Sequence, residues 1–265
     1  EINKISKLPD FKGRLSDLGG PSANMYRMKG IDQSICDKCI RPSCIFPNIC
    51  TNLNTSHKPM LELYEKVEAL PEIKKVTIGS GIRYDLIMNR SKSGGDNDQQ
   101  TYLKRLVLNN VSGRLKVAPE HTSDDVLKIM RKPSFELYDS FKKKFLSISE
   151  NAGLKQLIIP YFISNHPGST EEDMAKLAAD TKEAGLHLEQ VQSFTPTPMT
   201  NATVMYYSGV NPYTLKPVYV ARSKDEKERQ HMYFFWYKTE FRKRIKNSLL
   251  KLGRVDLIKK LLGKY

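Results

Sequence analysis

The sequence predicts an α/β fold in which about five short parallel strands alternate with amphipathic helices. Five apolar segments of strand length are each bounded by polar or turn residues, and most are followed by a helical pattern. With 39% hydrophobic residues in 265, the chain can bury an ordinary core. The predicted strands are GRLSDLGG from Gly13, KKVTIGSG from Lys74, GRLKVAP from Gly113, KQLIIPYFI from Lys155 and LEQVQSF from Leu188.

The segments between these strands carry apolar residues at intervals of three and four, which is typical of helices that cover a sheet. They are PMLELYEKVEAL, DNDQQTYLKRLVLNN, PSFELYDSFKKKFLSISENAG and STEEDMAKLAADTKEAG. Ser169 or Thr170 is the expected N-cap of the last of them, and Gly153 and Gly185 are expected to end helices before the next strand. Repeated βα units imply parallel strands joined by right-handed crossovers.

Polar and turn residues gather just after each predicted strand. Because the carboxyl ends of parallel strands share one edge, the five following loops are expected to meet there. We therefore expect a single cavity at that edge, lined by Gly20, Arg83, Glu120, His166 and Thr195. Five strands are too few for an eight-stranded barrel, which leaves a partial barrel, an open sheet or a fragment.

The βα alternation stops near Met199, where we place a domain boundary between residues 1–198 and 199–265. The segment from Met199 to Ser223 is rich in Tyr, Pro and β-branched residues and predicts extended segments and turns. From Lys224 onwards the sequence predicts two helices, the second beginning near Asp256. The patch SKSGGDNDQQ, which begins at Ser91, predicts a flexible loop.

The chain is basic, with 43 Lys and Arg against 29 Asp and Glu and a formal charge of +14. This excess favours polyanions such as RNA or anionic small molecules as partners. Much of it follows Ala221, in KDEKERQ and FRKRIKN. No aromatic-interleaved recognition motif accompanies these runs, so solvated helix faces are the favoured interpretation. No stretch has the length of a membrane span, so the expectation is a soluble cytoplasmic protein.

All four cysteines fall within fifteen positions, in the run ICDKCIRPSCIFPNIC. They are Cys36, Cys39, Cys44 and Cys50. Four thiolates at this spacing predict one metal centre, and either zinc or an iron–sulfur cluster accepts such a set. Disulfides are the alternative, but no signal-like apolar segment accompanies them and a chain of this length needs no staples.

Several strand-end residues are candidates for substrate chemistry. Arg83 and Asp85 could clamp a charged substrate or form a loop salt bridge, and the two interpretations have equal weight. Glu120 and His121 could act as acid, base or ligand partners, or could cap the helix that follows. His166 could be a turn residue. The other histidines are treated as structural: His57, His187 and His231.

Taken together and in order, six segments resemble the YgiQ-type family of uncharacterised radical S-adenosylmethionine (SAM) proteins. They are DLGGPSANMY, C-x2-C-x4-C-x5-C, GSGIRYDL, LKVAPEHTSDDVLKIMRKP, LIIPYFISNHPGSTEEDM and EQVQSFTPTPMTNATVMYYSGVNPYT. The resemblance extends over almost the whole chain. It implies a partial (βα) barrel of the radical SAM type, followed by a family-specific basic extension.

The resemblance also exposes a departure. Radical SAM enzymes hold a [4Fe–4S] cluster on a C-x3-C-x2-C loop, and this sequence has no such spacing. Family members carry that loop upstream of the region that matches, so the chain resembles the C-terminal part of a longer enzyme. The enzyme would cleave SAM to a 5′-deoxyadenosyl radical, and a reductant protein such as flavodoxin or ferredoxin could supply the electron. The isolated chain is not expected to cleave SAM by itself.

The resemblance assigns roles only at matching positions. Gly19, Gly20 and Pro21 would receive the amino group of SAM. Glu120 and Ser123 would contact its ribose or carboxylate, and the segment from Val191 to Phe194 would lie beside adenine. The four cysteines would hold an auxiliary iron–sulfur cluster or zinc. Three residues are left as substrate-site candidates: Arg83, Asp85 and His166.

Two other function classes stay open. The first is a metal-binding RNA or partner-interaction module, in which the cysteines hold structural zinc and the basic tail binds phosphate. The second is a βα-barrel enzyme without radical chemistry.

Overall fold

The computed structural model describes residues 1–20, 23–89, 96–188 and 190–263. Within these ranges there are five strands, and each lies in a segment where the sequence predicts one. They are β1 (Arg14–Ser16), β2 (Lys75–Thr77), β3 (Arg114–Glu120), β4 (Leu157–Ser164) and β5 (Gln190–Ser193).

The strands form one sheet of two strands and one of three. β1 and β2 are parallel with Leu15 opposite Val76, and the second sheet has the order β3-β4-β5. β4 and β5 are parallel with Phe162 opposite Val191. An isolated parallel bridge between Ile82 and Val117 links the segment after β2 to β3. The fold is therefore mixed α/β with parallel pairing, as expected, and none of the described pairings closes a barrel.

Twelve α-helices lie in the described ranges. They are α1 (Ile2–Ile5), α2 (Gln33–Asp37), α3 (Lys58–Glu68), α4 (Tyr84–Met88), α5 (Asp96–Arg105), α6 (Asp124–Met130), α7 (Phe135–Asn151), α8 (Glu171–Glu183), α9 (Asn201–Ser208), α10 (Lys224–Met232), α11 (Thr239–Lys251) and α12 (Val255–Leu262). α5 continues as a π-helical turn, and α10 is followed by a 3₁₀ turn.

The predicted helix boundaries before and after β4 are confirmed. Thr170 is the N-cap of α8: its hydroxyl accepts a hydrogen bond from the Asp173 amide, and the Asp173 carboxylate accepts one from the Thr170 amide in return. Gly153 and Gly185 follow α7 and α8 with φ of 67° and 66°. This left-handed conformation ends a helix at little steric cost only in glycine.

The predictions for the C-terminal part are wrong in two places. Residues Asn201–Ser208 form a helix where extended segments were expected, because Thr200 caps the Thr203 amide and Gly209, with φ of 69°, ends the helix. Three helices rather than two follow Lys224, because a 3₁₀ turn at Tyr233–Phe235 separates α10 from α11. The break predicted before Asp256 is confirmed, since α12 begins at Val255 after Gly253, which has φ of 69°. These caps override the weak strand propensity of the Tyr- and Thr-rich segment.

The predicted flexible loop SKSGGDNDQQ falls partly outside the described residues. Positions 91–95 are not described, and residues from Asp96 to Gln100 are the first turns of α5. For that half of the segment the prediction of a loop is wrong.

The chain divides into two compact units. Unit 1 comprises Glu1–Ala118 and Glu136–Ile159, and unit 2 comprises Pro119–Phe135 and Pro160–Tyr265. The core of unit 1 is built on large side chains that are almost completely buried. They include Tyr64, Tyr102, Leu103, Leu106, Leu115, Tyr138, Phe141 and Phe145.

The core of unit 2 joins the βα part of the chain to its C-terminal helices. Phe162 on β4 and Met174 and Leu177 on α8 belong to the same buried cluster as Ile245 and Leu257 on α11 and α12. Residues before and after Met199 therefore share one core, and the domain boundary predicted at Met199 does not separate the two units.

Candidate functional site

Three strands end in a residue with left-handed backbone that is not glycine. Asp17 follows β1 with φ of 56°, Glu120 closes β3 with φ of 69°, and Asn165 follows β4 with φ of 63°. Such conformations are uncommon for residues with a Cβ and cluster where surrounding contacts hold the backbone in place. They mark the carboxyl ends of the strands, where the sequence places its candidate site.

In unit 1, Asn24 holds the loop that carries Arg83. The Asn24 side chain is 1% exposed; its Oδ1 accepts a hydrogen bond from the Arg83 amide at 2.7 Å, and its Nδ2 donates to the Arg83 carbonyl at 2.9 Å. The same Nδ2 lies 3.2 Å from Nε2 of His57. The backbone at Arg83 is thus fixed by a buried side chain from the PSANMY segment.

The Arg83 and Asp85 side chains bind each other. Nε and Nη2 of Arg83 donate to the two carboxylate oxygens of Asp85 at 2.9 and 2.5 Å, and Asp85 is 6% exposed. This is a bidentate pair, the strongest geometry available to these two groups. Of the two interpretations drawn from the sequence, this geometry corresponds to the loop salt bridge.

Asp17 anchors the segment after β2. Its Oδ1 accepts hydrogen bonds from the Gly79 amide, the Ser80 amide and the Ser80 hydroxyl at 2.8 to 2.9 Å. Partial burial acts to raise the pKa of Asp17, but the hydrogen bonds from Ser80 and Gly79 outweigh it and lower that pKa below its usual value. The Asp17 carboxylate is therefore ionised at neutral pH and ties β1 to the loop after β2.

The glycine pair after β1 leaves space on one side. Gly20 has φ of 94°, and a Cβ added there would have no atom within 4 Å. At Gly19 a Cβ would instead touch Tyr26 and Met60. Backbone at Gly20 is thus open to the approach of another group, as the glycine-loop prediction requires. The third member of the predicted set, Pro21, lies outside the described residues.

In unit 2, Glu120 has one carboxylate oxygen occupied and one empty. Oε1 lies 3.0 Å from Nζ of Lys132, whereas Oε2 is buried and has no hydrogen-bond partner among the described residues. Burial, and then the charge of Glu120, raise the pKa of the Tyr161 hydroxyl. A buried carboxylate oxygen without a donor is costly, so Oε2 is an unsatisfied acceptor among the described residues.

His121 is completely buried beside Glu120. Its Nδ1 accepts hydrogen bonds from the amides of Thr122 and Ser123 at 3.0 and 2.9 Å, so the ring proton lies on Nε2, 3.4 Å from the Ser169 hydroxyl. Burial, reinforced by the nearby His166, lowers the pKa of His121 to about 4. His121 is neutral at pH 7 and holds the two residues that precede α6, but it does not bond to the amides of the first helical turn, so it is not the helix cap considered from the sequence.

His166 lies near the same groups. Its Nδ1 donates to the Pro167 carbonyl at 2.8 Å, which leaves Nε2 as the acceptor nitrogen. Burial lowers the pKa of His166 to about 4, and the charge of Lys132 acts in the same direction. Its ring meets the Phe194 ring edge to face at 5.1 Å. His166 is thus a neutral imidazole between an aromatic ring and a cation.

Asn165 connects the ends of β4 and β5. Its Nδ2 donates to the Ser193 hydroxyl at 2.8 Å, and its amide donates to Oε1 of Gln230 at 2.9 Å. Nε2 of Gln230 in turn donates to the Ser169 carbonyl at 2.7 Å. Gly168 lies in the same loop with φ of 90°, and a Cβ there would approach Ile129 to 2.3 Å. The loop after β4 is therefore fixed by α10 and packed tightly against α6.

The remaining predicted residues of unit 2 have different surroundings. Thr195 is exposed, and its hydroxyl donates only to the Ser193 carbonyl at 3.5 Å. Val191 packs against the buried cluster of unit 2, whereas Phe194 contacts His166 and Tyr206. Ser123 is the N-cap of α6 without a side-chain cap hydrogen bond. Unit 2 thus links the candidates through Lys132, which pairs with Glu120 and whose charge acts on His166, and the His166 ring contacts Phe194.

The cysteine loop, residues 36–50, belongs to unit 1. All four thiols are free; Sγ of Cys36 accepts a hydrogen bond from Asn52 at 3.3 Å, and Sγ of Cys39 accepts one from the Arg41 amide at 3.4 Å. Over the described residues, no three side chains of His, Cys, Asp or Glu are arranged to hold a metal ion. Four thiols are suitable ligands for zinc or iron, but in this structure they are not positioned around one ion. We therefore assign no chemical step to a metal at this loop.

Sequence reasoning missed the residues that hold the candidates in place. Lys132 pairs with Glu120, and Asn24 binds the backbone of Arg83. Gln230 binds the amide of Asn165, in the loop that carries His166. All three are residue types that are common at protein surfaces. His57 was treated as structural and is buried at the start of α3, where burial lowers its pKa to about 4. Only the position of Asn24 and Lys132 inside the family-like segments could have singled them out.

No helix in the described ranges is both long enough and apolar enough to cross a membrane.

Comparison with known proteins finds long relatives of uncharacterised function. Residues 189–262 match the family described as "Domain of unknown function (DUF3362)". A "UPF0313 protein" of Bacteroides thetaiotaomicron is 60% identical over 265 residues, which is 100% of this chain and 43% of the relative. Its namesake in Porphyromonas gingivalis is 55% identical over 265 residues, 100% of this chain and 42% of the relative. Another in Methanocella arvoryzae is 45% identical over 258 residues, 97% of this chain and 42% of the relative.

The chain therefore spans less than half the length of these curated relatives. UPF0313 is the family to which YgiQ-type proteins belong, and the resemblance drawn from the sequence is confirmed at that level. Over its whole length this chain is a homologue of UPF0313 proteins, and its C-terminal quarter carries the DUF3362 match.

Proposed function

We propose that this chain is the C-terminal part of a radical SAM iron–sulfur enzyme, and that the strand ends of unit 2 bind part of the SAM molecule. The observation that carries the proposal is the buried, unpartnered Oε2 of Glu120, whose other oxygen pairs with Lys132, the cation that also acts on His166. The six family-like segments supply the class of enzyme. When bound, SAM together with a reduced [4Fe–4S] cluster supplies a carbon radical that removes a hydrogen atom from the substrate.

Glu120 has the chemistry needed to orient a ribose. Lys132 fixes the carboxylate through Oε1, so the direction of Oε2 is set before a ligand arrives. A ribose hydroxyl donating to Oε2 would satisfy an oxygen that has no partner otherwise. Oε2 is buried, so a ribose hydroxyl would reach it once neighbouring side chains move aside, and the hydrogen bond would then form in a poorly solvated place.

Phe194 and His166 offer a flat contact next to Glu120. The Phe194 ring is held between His166 and Tyr206, with centroid distances of 5.1 and 5.7 Å. A ring held in this way can receive a purine without further ordering. His166 stays neutral at pH 7, so its Nε2 can accept a hydrogen bond or a proton at that position.

In unit 1, the open space at Gly20 fits the other predicted contact. A backbone amide next to a glycine in left-handed conformation can approach a small charged group closely. Arg83 and Asp85 are less suited to a substrate clamp, because each satisfies the other.

The test is binding of S-adenosylhomocysteine to this chain, measured by calorimetry. We expect Glu120→Gln to weaken binding by about tenfold, the loss of one charge-assisted hydrogen bond. The matched control is Asp139→Asn in α7, which removes the same charge from unit 1. In a second measurement, the longer relative from Bacteroides thetaiotaomicron, reconstituted without oxygen, should produce 5′-deoxyadenosine from SAM under a reductant, whereas this chain should not.

Two results would contradict the proposal. Equal affinity in wild type and Glu120→Gln would remove Glu120 from the SAM contacts. A reconstituted relative that contains no iron or sulfide and leaves SAM intact would remove the enzyme class itself.

A further inference from the structure

The two basic runs of the C-terminal part border one cavity of unit 2. The cavity has a volume of about 840 Å³, which is within the range of small-molecule sites. It is lined by Ser193, Arg222, Lys224, Lys227, Glu228, His231, Met232, Phe241 and Arg244. All nine residues fall within positions 189–262, the part that matches a domain of unknown function. From the sequence, we interpreted these runs as solvated helix faces. In the structure, residues of both runs line the same open cavity.

The cavity wall carries a clear excess of positive charge. Its ionised side chains are four cations, Arg222, Lys224, Lys227 and Arg244, and one carboxylate, Glu228. The carboxylate neutralises neither of its neighbours well: Nζ of Lys224 is 3.8 Å away and Nη2 of Arg244 is 3.7 Å away. Four cations around one space attract an anion of more than one charge.

Other carboxylates of α10 are already occupied. Oε2 of Glu226 accepts hydrogen bonds from the Ser223 amide and hydroxyl, and Asp225 forms an ion pair with Arg229. Arg229 also binds Glu171 at 2.9 Å. Glu226 keeps its negative charge, because the Ser223 donors are neutral, but neither Asp225 nor Glu226 lines the cavity. The wall itself therefore keeps its excess of positive charge.

Two of the cations are held in place before any ligand arrives. Nζ of Lys227 donates to the Tyr206 hydroxyl at 2.8 Å, and the Arg222 guanidinium lies 5.4 Å from the centroid of the same ring. Arg222 also donates to the Tyr207 carbonyl at 3.1 Å. Cations whose rotamers are fixed lose less entropy when they bind an anion.

The rest of the wall is uncharged and partly apolar. Phe241 is partly buried and offers an aromatic ring, whereas Met232 is 2% exposed and belongs to the buried cluster behind the wall. His231 lies with Nδ1 3.2 Å from the Ser164 hydroxyl, and burial lowers its pKa, so it is neutral at pH 7. A ligand that suits this wall combines several negative charges with a flat, weakly polar ring.

We propose that this cavity binds a nucleoside diphosphate or a related phosphate ester with a ring. The phosphates would lie against Lys224, Lys227 and Arg244, and the ring against Phe241. Ser193 of the wall lies in the segment from Val191 to Phe194, so the cavity adjoins the proposed adenine contact. The cations that would bind the phosphates have no role in the proposed SAM site, so the proposal does not depend on radical chemistry. It gives the C-terminal helices a binding role beyond covering α8.

The experiment is calorimetric titration of this chain with UDP, uridine, pyrophosphate and a single-stranded RNA of twelve nucleotides. A uridine nucleotide is used because a SAM site would accept an adenosine. We expect UDP to bind about tenfold more tightly than uridine or pyrophosphate, because only UDP engages both parts of the wall. Circular dichroism of each variant confirms that it is folded.

Three variants are expected to weaken UDP binding, to tighten it and to leave it nearly unchanged, respectively. The double variant Lys224→Gln/Arg244→Gln should weaken UDP binding by about tenfold, because it removes two exposed cations with no close partner. Glu228→Gln should tighten it by roughly threefold, since it removes the single carboxylate of the wall. Lys243→Gln, an exposed charge on α11 that does not line the cavity, should change it by less than about twofold.

Each other outcome overturns the proposal. Unchanged UDP affinity in the double variant, or an equal loss of affinity in Lys243→Gln, would show that UDP binding arises from general surface charge and not from the cavity. Weaker binding in Glu228→Gln would contradict an anionic ligand. RNA binding that is tighter than UDP binding and falls steeply with salt would replace the small ligand by a nucleic acid.

Discussion

The two units place a cation–carboxylate pair at equivalent points, just after or at the end of a strand, but they complete these pairs differently. In unit 1, Arg83 engages both oxygens of Asp85. In unit 2, Lys132 engages only Oε1 of Glu120, and Oε2 stays unpartnered among the described residues. The two pairs therefore differ in how many carboxylate oxygens are engaged, two in unit 1 and one in unit 2, and the proposed ligand contact depends on that difference.

The largest expected effect is a loss of stability in mild acid, greater in unit 2 than in unit 1. Burial lowers the pKa of His121 and His166 in unit 2, and of His57 in unit 1, to about 4. Histidine in the unfolded chain has a pKa near 6.5. Between pH 6.5 and 4 the unfolded state therefore binds protons that the folded state does not bind. Stability therefore falls as pH decreases through this window, by up to about 3 kcal/mol for each histidine.

Hydrogen exchange followed by mass spectrometry measures this for each unit. After correction for intrinsic exchange rates, amides of unit 2 should lose more protection between pH 7 and 5 than amides of unit 1. Equal losses, or no loss in unit 2, would show that the two buried histidines are not held neutral.

The next effect separates the two pairs directly. Asp85→Asn leaves Arg83 half-buried without its carboxylate and should lower the free energy of unfolding by about 2–3 kcal/mol. Glu120→Gln breaks a pair of similar burial in which only one oxygen is engaged, and should lower it by less, about 1 kcal/mol. Urea unfolding monitored by circular dichroism gives both values, with Asp10→Asn at an exposed position as the control.

If the order of these two losses were reversed, the comparison would fail. Glu120 would then stabilise the fold through contacts beyond its pair with Lys132. Asp85 would contribute little to stability and could serve a substrate.

The smallest effect tests the polar atoms around Glu120. Oγ1 of Thr122 is buried without a hydrogen-bond partner, while the Thr122 amide donates to His121. Thr122→Val keeps the shape and the amide and removes the unpaired hydroxyl. We expect a gain of about 0.5 kcal/mol, or no change, in the free energy of unfolding. A loss above about 1 kcal/mol would reveal a bound water or ligand that satisfies this hydroxyl.

The strands and most helices could be predicted because their signals are local. Period-three and period-four apolar spacing, the Thr170 cap and Gly153 and Gly185 each act within a few residues. The helix Asn201–Ser208 was missed because its Tyr, Thr and Val residues favour strands on their own, and the caps at its two ends decide its conformation.

The candidate site was only partly predictable. Strand-end position identified Glu120 and His166, but not that Lys132 holds one oxygen of Glu120 or that Asn24 fixes the Arg83 loop. Such partners lie many positions apart in sequence, and any polar residue could have filled the role. The cavity of unit 2 was hidden for the same reason, since the two basic runs show no sign in the sequence that they face a common space.

The interleaving of the two units limits how this protein can be dissected. The chain passes from one unit to the other three times, after Ala118, Phe135 and Ile159. No single cut can release either unit intact, and a truncation at Met199 would strip α10, α11 and α12 from the buried face of α8. Deletion mapping would therefore report loss of folding wherever the cut is made, and a function can be localised here only by single substitutions.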